Sequence, residues 1–78
     1  MPTDLRSGPY RGYFFSHEPN ELPHVHVDRD QCSAKFWLTP VALVRDLGFS
    51  RRELADLERL IARNQRLLIG AWNEFFGT

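Results

Sequence analysis

The sequence predicts an α+β protein in which a small, mostly antiparallel sheet of three to five strands packs on one long amphipathic C-terminal helix. Within residues 1–49, short segments alternate apolar and polar side chains with the period of two that strands show. From residue 50 onward the apolar side chains recur at helical spacing, as Leu54, Leu57, Ile61, Leu68, Trp72 and Phe75. We therefore assign residues 1–49 to the sheet region and residues 50–76 to the helix.

The length and composition limit the classes of protein to consider. We expect the 78 residues to form one domain, 1–78, with a thin core, because a domain of this size buries only about 60% of its unfolded surface. Lys plus Arg and Asp plus Glu both number 10, so the basic excess typical of general nucleic-acid binders is absent. Cys32 is the single cysteine, which suits a reducing compartment.

The sequence also predicts a cytoplasmic protein. No apolar run approaches the roughly 20 residues that span a bilayer. A secretion signal would show as a basic segment followed by an apolar run, and we find none.

The first part of the chain predicts two strands separated by turn residues. Residues 3–6 form a short strand that Ser7-Gly8-Pro9 ends. Residues 10–16 are rich in aromatic side chains and form the second strand. Two prolines and an asparagine then predict a loop over residues 17–23.

A hairpin between residues 24–28 and 32–38 is the clearest sheet prediction. A loop of two or of four residues around Asp30-Gln31 gives one register, in which apolar side chains oppose apolar ones. The opposite side, which we call the polar face, is expected to turn toward solvent, a cleft or a partner. It comprises His24, His26, Asp28, Ser33, Lys35 and Trp37.

The remaining elements are a last strand and the helix. Residues 41–47 are ambiguous between a strand and a helical turn, and the bracketing Pro40 and Gly48 favour a strand. Ser50 and Glu53 fit a capping box, and Phe49 with Leu54 fits a hydrophobic staple. The helix then runs over residues 51–76, about 39 Å, with a kink or break expected near Asn64 or Gly70.

The polar face carries three competing interpretations. His24 and His26 are candidate acid–base residues, and Lys35 would steady an anionic substrate, a combination that suits metal-free cleavage of RNA. Alternatively, His24, His26 and Asp28 would ligate a divalent transition metal, although no cofactor is our first expectation. The simplest interpretation is a solvated polar surface, and the spacing alone leaves all three open.

Two further groups are candidate binding residues. Arg59, Arg63 and Arg66 follow one helix stripe, either as a basic track for RNA or an acidic partner, or as ordinary solvent-facing charges. The aromatic residues Trp37 and Trp72 are candidates for contact with a partner. A broad apolar arc on the helix indicates either core packing or a contact with a second copy or another small protein.

Five motifs together resemble one bacterial family, domain-of-unknown-function family 4160. The motifs span nearly the whole chain: Met1-Pro2-Thr3, Pro23-His24-Val25-His26-Val27, Ala34-Lys35-Phe36-Trp37-Leu38, Gly48-Phe49-Ser50 with Glu53-Leu54, and Trp72-Asn73-Glu74-Phe75-Phe76.

The resemblance implies a functional context more than a reaction. Genes of this family are similar in arrangement to two-gene toxin–antitoxin modules, often beside a second small domain, family 2442. The resemblance therefore implies a small cytosolic component of such a module, acting on RNA through the polar face or binding a protein encoded nearby. It supplies no catalytic residues to carry over.

Overall fold

The structure, a computed structural model, describes residues 5–14 and 21–77. In chain order its elements are β1 (Leu5–Ser7), β2 (Tyr10–Tyr13), β3 (His24–Arg29), β4 (Cys32–Leu38), β5 (Val41–Leu47), α1 (Arg51–Arg63) and α2 (Gln65–Phe76). The predicted α+β class is confirmed. The start of the first predicted strand, the end of the second and most of the predicted loop 17–23 lie outside the described residues.

The five strands form one antiparallel sheet in the order β1-β2-β3-β4-β5, so each strand pairs with its neighbour in the chain. The predicted register of the β3–β4 hairpin is confirmed, with His24 opposite Trp37 and His26 opposite Lys35. The connection is the two-residue loop at Asp30-Gln31. Asp30 has a φ of 55°, a left-handed conformation that aspartate tolerates better than most residues.

Strand β5 confirms the prediction for residues 41–47 and forms one edge of the sheet. Its pairing with β4 is irregular, because Phe36 lies opposite Leu43 while Lys35 lies opposite Arg45. Val44 is therefore an extra residue in β5, a β-bulge. The bulge places Leu43 on the helix side of the sheet and Arg45 on the side of the polar face.

The core lies between the other sheet face and the helices. The predicted apolar helix face is confirmed, because Leu57, Ile61, Leu68 and Trp72 are buried and Leu54 and Phe75 pack against them. The sheet contributes alternating residues of each strand, as period-two patterning requires. These are Phe14, Val25, Val27, Ala34, Phe36 and Leu38.

The single long helix is not confirmed, because the segment divides into α1 and α2 at Asn64, one of the two positions where a kink or break was expected. Asn64 has φ −107° and ψ 15°, and its side-chain amide donates a hydrogen bond to the carbonyl of Leu60 at 2.8 Å. Asparagine competes with the helical backbone in this way, which explains a break here. Gln65 then donates to the carbonyl of Leu38 at 2.6 Å and fixes the start of α2 to the end of β4.

The capping box at the start of α1 is joined by bonds from outside the helix. The Ser50 hydroxyl accepts the backbone N–H of Glu53 at 3.1 Å, as predicted. The Glu53 carboxylate accepts from Nε and Nη2 of Arg29, both at 2.9 Å, and from the Tyr10 hydroxyl at 3.1 Å, and the backbone N–H of Ser50 also stabilises it. Charge-assisted, two-pronged bonds to a guanidinium are stronger than one neutral cap bond, so Arg29 is the main partner of this carboxylate.

This network joins two strands to the first helix. Arg29 belongs to β3, Tyr10 to β2 and Glu53 to α1. The hydrogen bonds from Arg29, together with that from Tyr10, hold the pKa of the Glu53 carboxyl below its usual value. Burial, followed by the hydrogen bond to Glu53, raises the pKa of the Tyr10 phenol. The network therefore adds a pH-dependent link between sheet and helix.

We expect replacement of Glu53 by Gln to lower stability at neutral pH and to flatten the acid side of the pH–stability curve. Because the folded-state pKa of Glu53 is depressed, its contribution is present above the ordinary value of 4.5 and is lost as the pH falls through the folded-state pKa. Urea unfolding of both proteins from pH 7 to pH 3 measures this. Glu58→Gln, an exposed position on the same helix, is the control. Equal differences between wild type and E53Q at both ends would contradict the ion-pair assignment.

Candidate functional site

The polar face occupies the middle of the sheet, opposite the face that carries Val25 and Val27, and Trp72 of α2 reaches it at His24. Strand β2 adds two side chains to it, because Tyr13 lies opposite His26 and Arg11 lies opposite Asp28. Because side chains alternate along a strand, Arg11 and Tyr13 share one side of β2, but the sequence gave no sign of which residues of β3 they oppose. Residues 14–23 separate β2 from β3 in the chain, so no tight turn between the two strands could be used to predict their register.

His24 is buried, which corrects the expectation that it faces solvent. Its side chain has 0% exposure, and its ring centroid lies 4.8 Å from that of Trp72 and 5.9 Å from that of Trp37. Its Nδ1 lies 2.8 Å from the carbonyl oxygen of Leu22, and since a carbonyl only accepts, Nδ1 donates. His24 therefore has the position of a packed, hydrogen-bonded structural residue.

Lys35 is also buried, at 8% exposure, and this corrects the same expectation for its ammonium group. Its Nζ donates to Oε1 of Glu21 at 2.6 Å and lies 5.1 Å from the ring centroid of Trp37. The same carboxylate oxygen is 3.8 Å from Nδ1 of His24. Glu21 was not among the predicted site residues, and its place in the predicted loop gave no signal that it would neutralise Lys35.

The second half of the polar face is organised around Tyr13. Its ring stacks on that of His26 at 5.4 Å, and the Arg11 guanidinium lies 5.0 Å from the ring centroid. The Tyr13 hydroxyl donates to Oδ2 of Asp28 at 3.1 Å. Burial, followed by this hydrogen bond, raises the pKa of the Tyr13 phenol. Oδ1 of Asp28 is buried without a hydrogen-bond partner.

The structure brings the candidate acid–base residues together but leaves only His26 partly exposed to solvent. The rings of His24 and His26 are 5.1 Å apart and nearly perpendicular. His26 is only partly buried, whereas His24 and Lys35 are enclosed by partners on the same face. A substrate must come within hydrogen-bond reach of a general base, so His26 is the most accessible of the three candidates.

The metal interpretation receives no support from the described residues. Within residues 5–14 and 21–77, no three His, Cys, Asp or Glu side chains come close enough together to hold an ion. Asp28 is bonded to Tyr13, and the Nδ1 of His24 is bonded to Leu22.

The predicted binding residues divide into exposed and buried groups. Arg59, Arg63 and Arg66 are exposed on the helices, and Arg59 pairs with Asp56 at 2.6 Å. Trp72 is buried at 3% exposure, so it belongs to the core and offers no free surface. Trp37 is half-buried between Lys35 and His24. The predicted apolar arc on the helix is mostly core, and Leu67 remains as its exposed large side chain at 60%.

An apolar surface that the sequence analysis did not predict lies on β5. Among the described residues, the large apolar side chains left exposed are Leu22, Leu43, Val44, Leu47 and Leu67, and three of these belong to β5. Apolar and polar side chains alternate only weakly along β5. The available signal that β5 would be an edge strand was its place as the last strand of the sheet. An edge strand also leaves backbone N–H and C=O groups open to pairing.

These features define a small α+β protein, an antiparallel five-stranded sheet backed by two helices, with a largely enclosed polar face and one apolar edge. The chain belongs to the family described as domain of unknown function DUF4160, whose model matches residues 10–73. The predicted resemblance is thus confirmed. Comparisons with curated proteins and with solved structures found no match. Neither α1 nor α2 has the length and apolar character needed to cross a membrane.

Proposed function

We propose that this protein is a non-catalytic, protein-binding component of a two-gene, toxin–antitoxin-like module. The observation that carries the proposal is the apolar edge of the sheet, where Leu43, Val44 and Leu47 are all exposed on one strand. Exposed apolar side chains grouped on one element are typical of surfaces that contact another protein. Because a domain this small has a thin core, such a contact would also add to its stability.

The state of the polar face supports binding over catalysis. Acid–base cleavage of RNA needs two reachable imidazoles and a cation free to meet developing negative charge. Here the His24 ring is enclosed, and the Lys35 ammonium is already paired with Glu21. Opening that pair would leave a charge without its partner in a largely buried place, which is costly. The enclosed face therefore favours a structural role for these residues.

The test is co-expression with the product of the adjacent reading frame. We expect a complex that survives affinity purification of either tagged protein and elutes as one species in size-exclusion chromatography with light scattering. The purified protein alone is incubated in parallel with a mixed RNA pool, and we expect no cleavage.

Two outcomes would contradict the proposal. One is the absence of a complex at protein concentrations of tens of micromolar. The other is RNA cleavage that disappears in His26→Gln while the melting temperature stays unchanged, because that result would indicate a reaction at the accessible part of the polar face.

A further inference from the structure

Strand β5 combines three properties that suit pairing with another chain. It lies at the edge of the sheet, so the side away from β4 is unpaired by any described strand. It is seven residues long, which is long enough for a stable strand addition. Its apolar side chains point to both sides of the sheet, since Leu43 pairs with Phe36 of the core and Leu47 pairs with Ser33 of the polar face.

The charges on β5 distinguish a foreign strand from a second copy. Two identical antiparallel strands related by a two-fold axis place the residue at the axis opposite itself. An axis at Arg45 opposes two guanidinium groups, and an axis at Asp46 opposes two carboxylates, both of which are unfavourable. The bulge at Val44 also exchanges the faces of the two halves of the strand, so a register that crosses it mismatches them.

The two charges differ in what they already contact. Oδ1 of Asp46 accepts the backbone N–H of Phe49 at 3.1 Å, so this carboxylate has a role inside the chain. Arg45 is exposed and forms no ion pair with the described residues. The edge therefore presents one available positive charge beside the apolar Leu47, both on the side of the polar face.

We propose that β5 is extended by a strand of a different protein that carries an acidic side chain opposite Arg45 and apolar side chains beside Leu43 and Leu47. The inference rests on the proposed function and specifies its surface and the chemistry of its partner. Backbone pairing along the edge supplies affinity. The charge at Arg45 selects the partner and discourages self-association.

The experiment measures binding of the adjacent gene product to Arg45→Glu. We expect Kd to rise about tenfold or more, because the reversed charge then faces the partner's carboxylate. Arg6→Glu makes the same charge change at an exposed position of β1, the opposite edge of the sheet, and controls for net charge. Restored binding to R45E by a partner variant with a single Asp or Glu changed to Lys would identify the opposing residue.

Hydrogen exchange of the complex provides the independent readout. We expect the amides of β5 to exchange more slowly when the partner is bound, since strand addition pairs backbone groups directly. A complex in which R45E binds as well as wild type and β5 gains no protection overturns the inference and leaves the proposed function standing. Failure to form any complex overturns both. A self-associated protein in sedimentation that R45E dissociates overturns the choice of a foreign partner.

Discussion

Replacing Trp72 by Ala is expected to cost about 3–5 kcal/mol of unfolding free energy, the range for removal of a large buried aromatic side chain. Trp72 is 3% exposed, and its ring centroid lies 5.4 Å from Phe14, 4.8 Å from His24 and 4.2 Å from Phe76. It therefore joins α2 to β3 and to the end of β2. A domain of this size has roughly 4–12 kcal/mol of total stability, so W72A would lose a large fraction of it.

Urea unfolding followed by circular dichroism measures this loss. Leu67→Ala is the matched control, because Leu67 lies on the same helix at 60% exposure and its truncation should change stability by no more than about 0.5 kcal/mol. If W72A does not fold at all, Trp72→Leu fills part of the space and gives a measurable intermediate value. A loss below about 1 kcal/mol in W72A would show that α2 does not pack on the sheet as described.

The sequence predicted this packing well because period and register leave few choices. The face formed by Leu57, Ile61, Leu68 and Trp72 follows from helical spacing alone. The β3–β4 register follows from alternation in two adjacent strands joined by a short loop. Both depend on residues that are close together in the chain, and these are the relations that sequence patterns predict best.

The polar face was predicted less well because its environment depends on distant residues. Alternation correctly placed His24, His26 and Lys35 on one face, but it could not show whether that face was covered. Tyr13 reaches it through the pairing of β2 with β3, and Glu21 reaches it from the segment just before β3. The position of a polar residue in a strand therefore predicts the side of the sheet on which it lies. Only the tertiary structure shows whether that residue is exposed.

The division of the helix has a similar cause. Asn64 fits the helical period and lies between Ile61 and Leu68, so the apolar pattern continues across it. The hydrogen bond from the Asn64 side-chain amide to the Leu60 carbonyl ends α1. This bond competes with the helical backbone, and the apolar periodicity of the sequence does not reveal such a competition. The sequence identified Asn64 as one of two positions for a kink, and the low helix propensity of Gly70 made the alternative equally reasonable.

The enclosed position of His24 leads to the second large expected effect. We expect His24→Gln to lower the unfolding free energy by about 1–3 kcal/mol, the cost of disturbing a buried, hydrogen-bonded polar group. The change removes a ring that packs on Trp72 and shifts the donor that now reaches the Leu22 carbonyl. An exposed histidine would have given a change within about 0.5 kcal/mol, so the measurement decides between the two positions.

Three variants separate the causes of that loss in thermal and urea unfolding. His24→Phe keeps an aromatic ring and removes the donor, whereas His24→Asn keeps a donor near the position of Nδ1 and removes the ring. If packing on Trp72 dominates, H24F will be the more stable of the two, and if the hydrogen bond dominates, H24N will be. His26→Gln, on the same face but only partly buried, should cost less than H24Q. Wild-type stability in H24Q would mean that the imidazole is accessible. His24 would then again be a candidate for contact with a substrate.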